Sequence, residues 1–259
     1  MKSFIVAVQF LTPIPIRLKV VEPKDLARSM RWFPLVGLMI GLILFLAKTI
    51  SISLGFSIWI TAVVVLLTLT IASGGLHLDG LSDMCDGFYA GRTKEEKLQI
   101  MRDPHIGVMG VIGIVFTLLT KWAIFISLPN GYYSGVSLIL MPVISRWAMV
   151  IAAFFGPYVQ AKEGTGKPFI ENITLKEVII ATIIALGISI VLANSTGFSI
   201  SANIIGFLLI AISFMSVFIM VIIARRILGG ITGDILGAIN EIIEILVLFL
   251  IYWIYIVRL

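Results

Sequence analysis

The sequence predicts an all-α integral membrane protein, a bundle of about seven transmembrane helices with acidic active-site loops on the cytoplasmic side. The composition is the first observation behind this prediction. Of the 259 residues, 59% are hydrophobic and 13% are charged, and the mean hydropathy is +1.12, whereas soluble proteins carry about 25% charged residues. The second observation is that apolar residues run together in stretches of roughly 17–25, the length that crosses a bilayer. We therefore expect a single transmembrane domain over residues 1–259.

The expected spans follow the apolar runs along the chain. They are Trp32–Ile50, Leu54–Ser73, Gly107–Leu128, Ser134–Phe155, Val178–Ala193, Ile200–Ala224 and Ile242–Val257. Before them, Phe4–Ile16 is apolar but short and contains Pro13 and Pro15, which is typical of an interfacial or re-entrant segment. Pro34 opens the first span and Pro142 lies within the fourth, and both positions are tolerated in membrane helices.

The basic residues indicate the orientation of these spans. With the N-terminus inside, fifteen of the nineteen bases fall in the N-terminal arm and in the loops after the second, fourth and sixth spans. These are Lys2, Arg17, Lys19, Lys24, Arg28, Arg31, Arg92, Lys94, Lys97, Arg102, Lys162, Lys167, Lys176, Arg225 and Arg226. Lys48 and Arg258 lie outside, and Lys121 and Arg146 lie within spans. The positive-inside rule thus predicts a multi-pass protein of the inner (cytoplasmic) membrane with these loops in the cytoplasm. The net charge of +5 reflects this asymmetry, and we expect no nucleic-acid partner.

The stretch from Gly74 to Gly110 holds six of the fourteen acidic residues and both histidines. Asp79, Asp83 and Asp86 are spaced i, i+4, i+7, which places them within roughly 60° of one another on a helix face. Carboxylates so close repel one another. Oxygen ligands suit Mg²⁺, which proteins commonly share with substrate phosphates. The spacing therefore predicts a magnesium site on Asp79, Asp83 and Asp86.

Basic residues follow these carboxylates and suit phosphate oxygens. They are Arg92, Lys94, Lys97 and Arg102. Carboxylates for a metal together with bases for phosphate favour phosphoryl-type transfer. The alternative is a solvated acidic helix with a basic flank, although ionisable clusters in membrane proteins are costly and tend to be functional.

A second acidic motif begins at the glycine-rich turn 229–233. Its candidate substrate-binding residues are Gly229, Gly230, Thr232 and Gly233, because glycines allow positive φ and close approach of the backbone to a ligand. Asp234 and Glu241 are spaced i, i+7 and would share a helix face, with Glu244 beside it. Asp234 is thus a further candidate metal ligand and Glu241 a candidate catalytic group. The alternative is a glycine turn in which Asp234 caps a helix, which leaves Glu241 and Glu244 unexplained.

Two single polar residues and one loop complete the candidates. Arg146 lies within an apolar span and must face a partner or a polar cavity. It is either half of a structural ion pair or a phosphate contact. His77 could orient a metal-bound carboxylate or act as a base, or it is an interfacial polar residue. The segment Lys162–Lys167 is rich in glycine without the P-loop spacing, which favours a flexible loop that contacts substrate.

Three motifs resemble the signatures of one known family. They are GGLHLDGLSDMCDG, IMRDPHIG and GGITGDILGAINE, and FPLVG at Phe33–Gly37 and the pair Ser145-Arg146 fit as well. The chain is similar in these motifs to the cobalamin synthases, or adenosylcobinamide-GDP ribazoletransferases. The likeness extends from about residue 10 to residue 244. Ser82 and Met84 depart from the family pattern in the first motif, and neither departure touches a carboxylate.

The resemblance implies the last joining step of adenosylcobalamin assembly. In that step adenosylcobinamide-GDP is joined to α-ribazole or its 5′-phosphate and GMP is released, with Mg²⁺ as cofactor. Asp79, Asp83 and Asp86 would hold the ion, and phosphates would bind Arg92, Arg102 and Arg146. Asp103 would contact the metal or the ribose hydroxyl. Asp103, His77 and Glu241 are all candidates for accepting the hydroxyl proton. The lipid bilayer is an expected partner, and a homo-oligomer or a complex with other corrinoid-assembly enzymes stays open.

Two other functions are alternatives. One is a membrane phosphotransferase of the CDP-alcohol type, whose motif begins D-x2-D-G-x2-A-R. The segment Asp83–Ala90 matches its first part, but Gly91 precedes Arg92 and the later glycine and aspartates are missing. The other is an ion-coupled transporter, in which acids and Arg146 would line a pathway. Against it, the acids cluster towards one side of the membrane and not at the midplane.

Overall fold

The computed structural model describes residues 2–16, 21–129, 131–159, 164, 166–194 and 202–257. Arg17, Lys19, Lys162 and Arg258 of the charge pattern lie outside the described residues, as do Glu163 and Thr165 of the glycine-rich loop. Within the described ranges the regular structure is helical and no strand forms, so the predicted all-α fold is confirmed.

Some of the helices correspond to the expected spans and the others do not. The helices at the expected spans are α3 (Phe33–Ser53), α4 (Ile58–Ala72), α7 (Val108–Ser127), α8 (Tyr132–Phe155), α10 (Leu175–Asn194), α11 (Ala202–Leu228) and α12 (Gly233–Val257). The others are α1 (Lys2–Leu11), α2 (Pro23–Ser29), α5 (Leu76–Ala90), α6 (Lys94–Ile100) and α9 (Lys167–Asn172). One 3-10 turn, Met30–Trp32, joins α2 to α3.

Among the residues that the structure describes, six helical segments are long and apolar enough to cross a membrane. They are Pro23–Ser53, which runs from α2 through α3, and helices α7, α8, α10, α11 and α12, each over most or all of its length. Helices α4 and α5 pass the same test together, but they meet at an angle of 89°. Counting that bent pair as one span gives seven. This agrees with the expectation of a polytopic protein with about seven spans.

The last span begins earlier than the sequence indicated. We expected it at Ile242, because Glu241 and Asp234 interrupt the apolar run, but α12 begins at Gly233. Both acidic residues therefore lie on the membrane-length helix itself and not in a preceding loop. The physical reason is that Glu241 is buried against a cation from another helix, Lys121, so its charge does not end the span.

Helix α8 is the centre of the bundle, with neighbours α3, α10, α11 and α12. Close packing against α3 depends on small residues. A β-carbon at Gly41 would lie 2.6 Å from Cα of Ile139, and one at Gly37 would lie 2.9 Å from Cα of Val143. Small residues of this kind let membrane helices approach each other closely. Because α8 lies inside the bundle, its polar side chains face other helices and not lipid.

Candidate active site

The acidic helix α5 lies across the end of α4 because of a two-glycine turn. Gly74 and Gly75 have φ of 62° and 72°, a left-handed conformation that side chains disfavour. The chain therefore turns by 89° between Ala72 and Leu76. Asp79, Asp83 and Asp86 all lie on the resulting helix, as the i, i+4, i+7 spacing predicted.

Helix α12 begins directly against this acidic helix. A β-carbon at Gly80 would lie 2.9 Å from Cα and 2.8 Å from the carbonyl oxygen of Asp234, and one at Gly237 would lie 3.3 Å from Cα of His77. Glycines at the crossing allow the two backbones to touch. Asp83 is close enough to Asp234 and Asp79 for their charges to repel its own. The two acidic motifs, about 155 residues apart in the sequence, thus meet through α5 and α12, as expected for a joint site.

A cavity of about 750 Å³ opens along this helix. Asp79 and Asp83 line it from α5, and Arg102 and Asp103 line it from the segment that follows α6. The cavity therefore contains carboxylates for a cation together with a guanidinium for an anion, which is the combination that the sequence predicted. Asp79, Arg102 and Asp103 are exposed, so this wall is open to solvent.

Asp103 is held in its ionised form at the cavity edge. Its Oδ1 accepts a hydrogen bond of 2.9 Å from the backbone N–H of His105 and lies 2.6 Å from Nδ1 of the same residue. These hydrogen bonds hold the pKa of Asp103 below its usual range. Asp103 is therefore an acceptor at neutral pH, suited to orienting a hydroxyl group.

Asp86 has a structural role in addition to its place in the acidic motif. Its Oδ2 accepts a hydrogen bond of 2.7 Å from the N–H of Gly107, and its Oδ1 accepts one of 2.8 Å from the N–H of Gly110. Those groups belong to the start of α7, where N–H groups lack partners within the helix. The carboxylate thus satisfies two of them and ties α5 to α7. Each oxygen keeps a further lone pair.

The carboxylates around the cavity fit Mg²⁺ in the form that the ion usually takes in proteins. Among the residues described, no three His, Cys, Asp or Glu side chains already converge as a ligand set. Magnesium needs only one or two carboxylates when substrate phosphates and water complete its octahedron. Asp79 and Asp83 line the cavity, and Asp234 lies against their helix. Their mutual repulsion is a cost that a cation would relieve.

His77, Arg146 and Glu241 do not line the described cavity. They lie in a buried polar cluster between α5, α7, α8 and α12, together with Lys121 and Glu244. Nζ of Lys121 lies 2.6 Å from Glu241 and 2.5 Å from Glu244, and Arg146 forms an ion pair with Glu244. The sequence offered two roles for Arg146, a structural ion pair or a phosphate contact, and the structure shows the ion pair between helices.

His77 is turned away from the acidic cavity into this cluster. Its ring is 1% exposed, and neither ring nitrogen has a hydrogen-bond partner among the described residues. The hypothesis that it orients a metal-bound carboxylate or acts as a base therefore lacks geometric support. The histidine was expected at the membrane edge, but the glycine crossing with Gly237 carries it into the interior.

The glycine turn before α12 packs against protein segments. Gly229 has φ of 85°, and the side chain of Lys94 fills the space where a side chain at Gly229 would lie. A β-carbon at Gly230 would meet the backbone N of Val159 at 3.2 Å, and one at Gly166 would meet Cα of Gly233 at 2.8 Å. These close approaches are between parts of the chain, whereas we expected them towards a ligand.

Thr232 and not Asp234 caps α12. Its Oγ1 accepts a hydrogen bond of 3.3 Å from the N–H of Ile235 and lies 3.3 Å from Oδ2 of Asp234. A threonine at this position satisfies a free N–H of the first turn. Asp234 lies in the first turn of α12, where its Oδ2 accepts the hydrogen bond of the Thr232 hydroxyl, so Asp234 is not the N-cap residue.

Arg92 is exposed in the turn between α5 and α6 and does not line the described cavity. Its N–H donates to Oε2 of Glu96 at 2.8 Å. This bond lies beside a capping box for α6, in which the N–H of Thr93 donates to Oε2 of Glu96 at 3.2 Å and Thr93 Oγ1 accepts from the N–H of Glu96 at 3.2 Å. Of the predicted phosphate contacts, the structure thus brings Arg102 to the cavity and separates Arg92 and Arg146 from it.

Tyr158 is a candidate that the sequence did not indicate. It follows α8, and a two-bond bridge holds its segment to Ile231: Val159 N–H donates to Ile231 at 3.1 Å, and Ile231 N–H donates to Pro157 at 2.9 Å. The bridge brings the Tyr158 hydroxyl within electrostatic range of Asp234 and Arg102, and burial raises its pKa. A tyrosine in a loop carries no periodic signal, so only the fold could reveal it.

Comparison with known proteins agrees with these features. The family model described as cobalamin-5-phosphate synthase matches residues 3–252. The chain belongs to this family. The adenosylcobinamide-GDP ribazoletransferase of Clostridium novyi is 36% identical over 248 residues, 95% of this chain and 94% of the relative. That of Clostridium tetani is 36% identical over 93% of this chain and 92% of the relative, and that of Fusobacterium nucleatum subsp. nucleatum is 33% identical over 96% of each. No solved structure matches the chain.

The family places the chain among the transferases of cobalamin biosynthesis. This result decides between the functions that the sequence left open, because neither a CDP-alcohol phosphotransferase nor a transporter belongs to this family.

Proposed function

We propose that the chain joins adenosylcobinamide-GDP to α-ribazole or α-ribazole 5′-phosphate and releases GMP, as the last assembly step of adenosylcobalamin. The observation that carries this proposal is the single cavity in which Asp79 and Asp83 lie with Arg102 and Asp103. Transfer of a phosphoryl centre depends on positioning and on neutralising phosphate charge more than on covalent chemistry by the protein, and this cavity has groups for both.

The reaction forms one bond and breaks one. A ribose hydroxyl oxygen of α-ribazole attacks the phosphorus next to the cobinamide. The bond from that phosphorus to the oxygen of GMP breaks, GMP leaves with the bridging oxygen, and the hydroxyl proton is released. Substrate, nucleophile and leaving group therefore need to be held in line at one pyrophosphate.

Arg102 is the residue that would hold this pyrophosphate. A guanidinium can donate two parallel hydrogen bonds to phosphate oxygens, and Arg102 is exposed on the cavity wall. Asp103 follows it and would accept the hydrogen bond of the ribose hydroxyl. Of the three candidates for accepting the proton, Asp103 alone lines the described cavity, since His77 and Glu241 lie in the buried cluster.

Mg²⁺ supplies charge neutralisation on the phosphates when it is bound. Asp79 and Asp83 are the residues that would hold it, with Asp234 as a third ligand from α12. Asp86 would stabilise the arrangement mainly through α7, because both of its oxygens accept hydrogen bonds there.

The acidic cavity would bind the reacting ends of the two substrates and not the whole corrinoid. Its volume of about 750 Å³ lies within the range of small-molecule sites, whereas a corrinoid joined to a nucleotide is larger. We infer that the site opens to the cytoplasm from the inner membrane. The support is the excess of Lys and Arg in the loops that flank it.

An assay of GMP release tests the proposal. The purified chain in detergent is incubated with adenosylcobinamide-GDP and α-ribazole, with Mg²⁺ or with excess EDTA. We expect GMP and the joined corrinoid in equal amounts with Mg²⁺, and loss of both with EDTA that Mg²⁺ restores. Release of GMP without α-ribazole at the same rate would indicate hydrolysis and contradict the joining reaction. An equal rate in EDTA would exclude the metal site.

A further inference from the structure

A second cavity, strongly basic and of about 480 Å³, lies away from the acidic one and shares no lining residue with it. Lys24, Arg28 and Arg31 line it from the start of the first span, and Lys176 lines it from α10. Positions 24, 28 and 31 are spaced i, i+4, i+7, so they share one face of the helical segment. Four cations thus converge from two parts of the chain.

Among the described residues, Glu177 is the one acidic residue that lines this cavity, and its carboxylate already has partners within the protein. Glu177 accepts a hydrogen bond of 3.2 Å from the N–H of Thr174 and another from its hydroxyl, and lies 3.9 Å from Nη2 of Arg31. Within the part of the chain that the structure describes, Lys24, Arg28 and Lys176 make no ion pair. The cavity therefore retains an excess of positive charge, which favours an anionic ligand.

The position of the cavity points to a lipid. Lys24 lies in the first turn of the span Pro23–Ser53, and Lys176 is the second residue of α10, so two membrane-length helices begin at the cavity. Below it, Leu175, Ile179 and Ile183 are exposed apolar residues at intervals of four on the outer face of α10. Basic cavities between membrane helices bind anionic headgroups, and this apolar stripe offers a surface for an acyl chain.

We propose that this basic cavity binds the phosphate headgroup of an anionic membrane phospholipid. The headgroup phosphate lies among Lys24, Arg28 and Lys176, and the acyl chain follows the outer face of α10. The proposal does not depend on the function of the acidic cavity.

Binding to phosphatidylglycerol tests it on the full-length protein. Retained lipid is measured by native mass spectrometry after incubation with phosphatidylglycerol or phosphatidylcholine micelles, and the melting temperature is recorded in parallel. We expect phosphatidylglycerol to be retained and to raise the melting temperature, whereas phosphatidylcholine does neither. In the double variant Lys24→Gln/Lys176→Gln, binding should weaken by about fivefold for each charge removed.

The matched control is Arg225→Gln/Arg226→Gln, which removes two exposed bases at the end of α11 and should leave retention unchanged. Lys24 and Lys176 are also exposed, so their replacement should not prevent folding, and unfolded protein would be recognised by its melting curve. Equal weakening in both double variants would mean a diffuse attraction to basic residues and would overturn the site. Equal stabilisation by glycerol 3-phosphate at the same concentration would assign the cavity to a soluble phosphate and overturn the lipid proposal.

Discussion

Gly80 on α5 lies against the backbone of Asp234 on α12, so close that a β-carbon at Gly80 would be 2.9 Å from Cα of Asp234. This contact joins the two acidic motifs, because it brings the start of α12 between the positions of Asp79 and Asp83. Buried ion pairs also hold α12 against α7 and α8, so α12 cannot move away from α5 without breaking them.

The first prediction is that Gly80→Ala separates the two acidic motifs. Contacts below about 3.0 Å to backbone cannot be relieved by a side-chain movement, so α12 must shift. We expect a loss of GMP release of at least tenfold, because misplacement by about 1 Å can cost 10²-fold. Gly187→Ala is the matched control, because a β-carbon there meets nothing within 4 Å on α10. Equal activity of the two variants would contradict the proposed geometry.

The second prediction separates the three aspartates of α5. Asp79→Asn and Asp83→Asn should each lower turnover by about 10²-fold with the melting temperature unchanged, because each removes a charged group from the cavity. Asp86→Asn should lower the melting temperature as well, because one of the two N–H groups of α7 would face an amide N–H₂. Glu95→Gln, an exposed acid outside the cavity lining, is the control. A stable Asp86→Asn variant with turnover as low as the others would give Asp86 a direct role in the site.

The third prediction concerns the buried ion pair between Arg146 and Glu244. Removal of Glu244 leaves the buried Arg146 without its ion-pair partner, which costs about 3–5 kcal/mol, whereas removal of Arg146 leaves Glu244 with Lys121. Both Arg146→Met and Glu244→Gln should therefore lower the melting temperature, and Glu244→Gln should lower it more. The double variant Arg146→Met/Glu244→Gln should be more stable than the sum of the single effects, because no arginine is then left without its partner. Strict additivity would mean that the two side chains do not interact, and a stable Arg146→Met variant with a raised KM would favour the phosphate contact.

The fourth prediction concerns Tyr158, whose hydroxyl is within electrostatic range of Asp234 and Arg102. Because burial raises its pKa, the hydroxyl stays protonated at neutral pH and can donate a hydrogen bond to a phosphate or a ribose oxygen. Tyr158→Phe removes that donor and keeps the ring, so we expect a decrease of about 3–20-fold in kcat/KM and an unchanged melting temperature. A lower melting temperature with unchanged kcat/KM would make the hydroxyl a structural group.

The fifth prediction concerns orientation. In a Cys85→Ser background, a cysteine at the exposed position Glu95 should react with a membrane-impermeant maleimide in inverted vesicles and not in intact cells. Leu54 directly follows α3, at the end of the first span that we expect on the outer side of the membrane, and is also exposed. A cysteine there should react in intact cells and not in inverted vesicles. Labelling of position 95 in intact cells would place the acidic cavity outside and refute the cytoplasmic site.

Much of the architecture could be read directly from the sequence. The long apolar runs predicted a polytopic helical protein, because a backbone in lipid must satisfy its own hydrogen bonds. The spacing of Asp79, Asp83 and Asp86 predicted one helix, since local periodicity is a property of the chain itself. The adjacent Asp103 and Arg102 were also recognised, and both line the cavity.

The tertiary structure decided which polar residues share a site. Arg146 and Glu241 were grouped with the phosphate and acid chemistry, yet they are buried in ion pairs with Glu244 and Lys121. The sequence could not show this, because the direction in which a charge on an apolar helix points depends on the charges of helices about 100 residues away. That Tyr158 lies within electrostatic range of Asp234 likewise depends on a bridge between distant segments. Local spacing determined the chemistry available to this chain, whereas long-range packing determined which groups meet.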